Sequence, residues 1–105
     1  MMPLTGFHVN HAHNDWGGRV LIHCFNGTRL IRVFITSEVI DAYFQYSDLT
    51  KNDRKWLIDQ NLPFLVPVII SKYERGEVFA YIGTSQQIDL SLDDLKQAEK
   101  IDLRR

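Results

Sequence analysis

His8, His11 and His13 crowd the first part of this 105-residue chain, and Asp15 follows them. No other stretch combines residue types and spacing that so resemble a ligand set. Neutral imidazole binds zinc, nickel or copper, and a carboxylate can add an oxygen. Alternate residues of an extended segment share a side, so His11 and His13 are expected to project together. The competing reading is a solvated polar arm that takes up metal only adventitiously, because no acceptor is evident to orient the rings.

Other constellations carry less chemistry. His23 and Cys24 are neighbours, but consecutive strand residues point to opposite faces, so the pair cannot share a proton as base and nucleophile. Cys24 falls on the expected core face, where a free thiol behaves as a small apolar side chain. Lys51, Arg54 and Lys55 make a basic helical stripe able to meet phosphates, diluted by Asp48, Asp53 and Asp59. Neither Gly17-Gly18 nor Gly83 has the glycine spacing and following Lys-Ser or Lys-Thr of a phosphate loop. Asp89, Asp93, Asp94, Glu99 and Asp102 read as helix-terminus and solubilising charge rather than an acid-base pair. No catalytic residue and no cofactor are therefore assigned.

The elements that must position these residues begin with a hairpin. Asn26-Gly27 lies between two apolar-rich segments, and these residues tolerate the positive φ of a type I′ turn. With both as central turn residues, Phe25 faces Thr28, Cys24 faces Arg29, Ile22 faces Ile31 and Val20 faces Val33. Period-two alternation puts Val20, Ile22, Cys24, Ile31, Val33 and Ile35 on a core face. Leu21, His23, Phe25, Leu30, Arg32 and Phe34 share the other face with Arg19, and that face is more apolar than solvation alone allows. It is the expected interaction face, covered either by the chain's own termini or by a second copy in a symmetric dimer.

Thr36 or Ser37 caps a helix whose inward residues are Val39, Ile40, Tyr43 and Phe44. Thr50 opens a second helix through a capping box with Asp53, Trp56 and Leu57 facing inward. Leu62 to Arg75 is expected to be a buried helix beginning near Pro63 to Val66, with Pro67 in its first turn and Gly76 as its stop. Glu77 to Ile82 and Gln87 to Leu90 read as strands, and Ser91 opens a last polar helix. The domain reading is a flexible arm over 1–17 with room for a short edge strand near Phe7 to His11; one α+β domain over 18–95; and a polar tail or helix end over 96–105. The sheet is expected to be small and antiparallel, hairpin first, with helices mainly on one face.

Composition bounds the partners. Twelve Lys and Arg against thirteen Asp and Glu give a net charge of −1, so no global field draws the chain onto nucleic acid or anionic lipid. The longest apolar run, Leu62 to Ile70, falls short of the ~20 residues that span a bilayer. A single cysteine and no leader-like N-terminal run point to the cytoplasm.

The order of elements carries a resemblance. Asn26-Gly27, Ile35-Thr36-Ser37-Glu38-Val39-Ile40, Lys72, Gly76 and Asp94-Leu95, spread over Val20 to Leu95, resemble the small bacterial proteins of domain-of-unknown-function family 1488. The chain departs from that pattern at Val39-Ile40, where Ala-Leu is expected, and at Pro63 and Pro67. The resemblance implies a compact α+β fold and supplies no catalytic residues. The functional expectation is a non-enzymatic interaction or regulatory module whose partner is another protein or a second copy of this chain. The alternative is a regulator that binds metal through the histidine arm or binds nucleic acid.

Overall fold

A computed structural model gives the fold and describes residues 7–14, 18–46, 48–80 and 85–98. In chain order the elements are β1 (Phe7–Asn14), β2 (Val20–Asn26), β3 (Arg29–Ile35), α1 (Ser37–Phe44), α2 (Lys51–Gln60), α3 (Leu62–Glu74), β4 (Phe79–Ala80), β5 (Gln86–Asp89) and α4 (Leu92–Gln97). The strands form one sheet in the order β1-β2-β3-β5-β4. The α+β class holds, but the sheet is mixed rather than antiparallel, because β5 runs parallel to β3. Parallel neighbours need a long crossover, and α1, α2 and α3 lie between these two strands in sequence.

The hairpin forms with a register two residues from the expected one. Asn26 pairs with Arg29, Cys24 with Ile31, Ile22 with Val33 and Val20 with Ile35. The turn's central residues are therefore Gly27 and Thr28. Gly27 has φ +65 and Thr28 is not among the residues of positive φ, the Gly-first pattern of a type II′ turn. Because the slip is two residues, each side chain keeps its face. Val20, Ile22, Cys24, Ile31, Val33 and Ile35 are all sealed in the core.

Three caps set where helices start. Val39 N–H donates to Thr36 Oγ1 at 3.3 Å, which selects Thr36 over Ser37 as the first cap. Thr50 with Asp53 and Ser91 with Asp94 form complete capping boxes. On α1, Ile40 and Phe44 are buried while Val39 and Tyr43 pack at the core margin. On α2, Leu57 and Ile58 face inward, whereas Trp56 is 43% exposed, contrary to the inward position expected for it. Successive helical positions are rotated by about 100°, so turning Leu57 and Ile58 to the core carries Trp56 outward.

The α3 segment is helical, beginning at Leu62 with Pro63 in its first turn. Pro67 lies in the second turn rather than the first, so it cannot donate to the Pro63 carbonyl. Burial of Leu65, Val68, Ile69 and Tyr73 offsets that loss. Gly76 at φ +78 ends the helix: Gly76 N–H donates to Tyr73 O and Glu77 N–H to Lys72 O, a Schellman closure. All four helices contribute to one apolar cluster with the inner sheet face, leaving the opposite face free of described helices.

The edge strand expected near Phe7 to His11 runs on to Asn14, so residues 7–14 are part of the sheet rather than of an arm. They form an edge strand paired antiparallel with β2, with one extra residue inserted between Val9 and Ala12. At the other end α4 carries the domain past residue 95, and Leu95 is fully buried.

Candidate functional site

The helix-free face of the sheet gathers the expected interaction residues. Cross-strand pairing sets Leu21 beside Phe34, His23 beside Arg32 and Phe25 beside Leu30. On β5, Gln87 pairs with Arg32 and Asp89 with Phe34, and Gln87 Nε2 donates to Asp89 Oδ1 at 2.8 Å. Phe79 extends the row at the far edge, paired with Gln87 and 60% exposed.

The face is not uniformly open. Leu21, His23, Phe25, Leu30 and Arg32 are half-buried, but Phe34 is only 3% exposed. Arg19, just before β2, lies over the Phe34 ring with its guanidinium carbon 4.0 Å from the centroid and contributes to that cover. The exposed aromatic is instead Phe79, which the hairpin pattern did not include.

The β1 edge brings a second feature to this face. Ala12 N–H donates to Asp59 Oδ1 on α2 at 3.1 Å, and Asn14 Nδ2 donates to Asn52 Oδ1 at 3.4 Å, tying β1 to the helix layer. His13, next to Ala12, pairs with Leu21 and is thereby a diagonal neighbour of His23. Their ring centroids are 5.5 Å apart, with planes inclined at 43°. Burial, then His13, then the Arg32 cation hold His23 below the ordinary imidazole pKa.

Of the sequence-based metal set, His13 is exposed on β1. The side chains of His8 and His11, and Asp15 as a whole, lie outside the described residues. Among the described residues no group of three or more His, Cys, Asp or Glu is placed to hold a metal ion. The meeting of His13 with His23 is not legible in the sequence because the edge strand expected there stops at His11 and has no register, whereas β1 runs on to Asn14.

The remaining candidates resolve into structure. Cys24 is buried, and desolvation pushes its thiol up to about 12, so it stays protonated at neutral pH. Arg54 leaves the basic stripe to grip Asp41 with two bonds of 2.8 and 2.9 Å. Lys72 Nζ bonds Asp94 Oδ2 at 2.7 Å and Asp89 O at 3.0 Å, joining α3 to the cap of α4. No helix among the described residues is long and apolar enough to cross a membrane. Comparison with family models, with curated proteins and with solved structures found no match to this chain.

Proposed function

We propose that this chain is a non-enzymatic cytoplasmic interaction or regulatory module that docks a protein partner on the helix-free face of its sheet. The observation that supports the reading is the row of half-buried Leu21, Phe25 and Leu30 beside Arg32, continued by exposed Phe79. Apolar groups ringed by an arginine and a carboxylate have the composition of a small interface, in which aromatic and Arg anchors carry most of the binding. A nucleic-acid ligand is disfavoured by the net charge of −1 and by the engagement of Arg54 with Asp41.

Capture from native cell extract tests the reading. The untagged full chain and its Leu30→Asp and Phe79→Ser variants are immobilised, with Glu38→Gln on α1 as a control away from the face. A protein retained by the parent and the control but released by both face variants supports the reading. Sedimentation equilibrium of the same set shows whether that protein is a second copy. Retention unaffected by either face variant, or tight binding of a metabolite with no protein retained, overturns it.

A further inference from the structure

We propose that His13 and His23 form a two-imidazole site for a late first-row transition-metal dication, seated across the boundary between β1 and β2 on the helix-free face. The inference stands on this pair alone and does not depend on the face binding a protein.

Geometry carries it. With metal–nitrogen bonds of about 2.0–2.1 Å and a tetrahedral angle, two imidazole centroids sharing one ion stand roughly 5–6 Å apart. His13 and His23 stand at 5.5 Å, inclined rather than stacked, within that range. The pair is also held. His13 pairs with Leu21, which fixes it diagonally to His23, and the adjacent Ala12 amide is bonded to Asp59 of α2. A slip of β1 along β2 would break that bond.

Chemistry selects the ion. Two neutral nitrogens suit zinc, nickel or copper, with copper(II) tightest by the usual order, whereas calcium and magnesium prefer oxygen. A ligating imidazole must be unprotonated, so binding is expected to weaken as the solution is acidified through the ordinary imidazole range. Arg32 stands across from His23, and its charge opposes a dication there, which limits the affinity the pair can reach. The coordination positions that the two rings leave open fall to water or an anion.

Calorimetric titration of the untagged full chain with zinc, nickel and copper(II) salts tests the site. The expected result is one ion per chain, with affinity about tenfold or more weaker in His13→Ala and in His23→Gln. His13 is exposed, so its variant is expected to keep its melting temperature, and His23→Gln keeps a polar side chain of similar reach. Zinc is also expected to shift the imidazole proton resonances of both residues together, a signature that loss of folding cannot mimic. Absence of binding by the parent overturns the proposal. So does undiminished binding by the double variant, which would place the ion elsewhere in the chain.

Discussion

The guanidinium carbon of Arg19 sits 4.0 Å from the centroid of the Phe34 ring, and Phe34 is 3% exposed on a face that carries no described helix. The arginine stem supplies apolar cover while its head remains toward solvent. Phe34→Asp is therefore expected to lower the melting temperature without changing the sedimentation mass. Arg19→Ala is expected to cost about 0.5–1 kcal/mol, the range of an accessible cation–π contact. A Phe34→Asp variant of unchanged stability would show that the ring is not covered.

The type II′ turn makes Gly27 the more sensitive of the two turn residues. At φ +65 an added Cβ opposes the backbone, so Gly27→Ala is expected to cost about 1–2 kcal/mol in urea unfolding. Thr28 lacks positive φ and is exposed, so Thr28→Ala should be nearly neutral. The reverse order of sensitivity would contradict the observed register.

Lys72 and Asp94 bind at 2.7 Å with both side chains largely buried. Burial raises the Asp94 carboxyl, but its bonds to Lys72 and Ser91 outweigh this and hold it below the usual carboxylate value of 3.8. The unfolded chain then binds the proton more tightly than the folded one. This contribution is present above pH 3.8 and is lost as pH falls through the lower folded value. Asp94→Asn is expected to cost about 2–3 kcal/mol at pH 7 and to flatten the acid limb of the stability profile. Lys72 keeps Asp89 O and approaches Glu77 at 3.7 Å, which holds the loss below that of a pair broken without replacement.

His23 gives a pH effect at higher values. Its folded pKa lies below the ordinary 6.5, so stability from its neutral ring is present above pH 6.5 and declines as pH falls through the folded value. Thermal unfolding between pH 8 and pH 5 is expected to show a smaller decline in His23→Gln than in the parent. Equal declines would remove His23 from the account.

The bond between the Ala12 amide and Asp59 Oδ1 is the most direct tie of the edge strand to the helix layer. Asp59→Ala is expected to cost about 1–2 kcal/mol. Hydrogen exchange at Ala12 should accelerate more than at Ile22, its β2 partner.

Local chemistry was legible where a short segment decides its own conformation. The period-two pattern assigned both hairpin faces, hydroxyl residues marked the capped starts of α1, α2 and α4, and Gly76 marked the end of α3. These follow from side-chain alternation, orphan amides at helix ends and the freedom of glycine, none of which requires knowledge of distant residues. The face residues Leu21, His23, Phe25, Leu30, Arg32 and Phe34 belong to this legible part. Their covering does not, because Arg19 reaches Phe34 only across a formed sheet. Tertiary structure alone decided that residues 7–14 pair with β2, that β5 enters beside β3 in parallel, and that His13 meets His23. The pairing of β5 with β3 joins segments far apart in sequence, whereas β1 and β2 are neighbours in the chain whose register depends on the extra residue between Val9 and Ala12. Each such choice of partner or register depends on which arrangement buries the shared apolar face and satisfies the edge amides together, and no local pattern encodes that comparison.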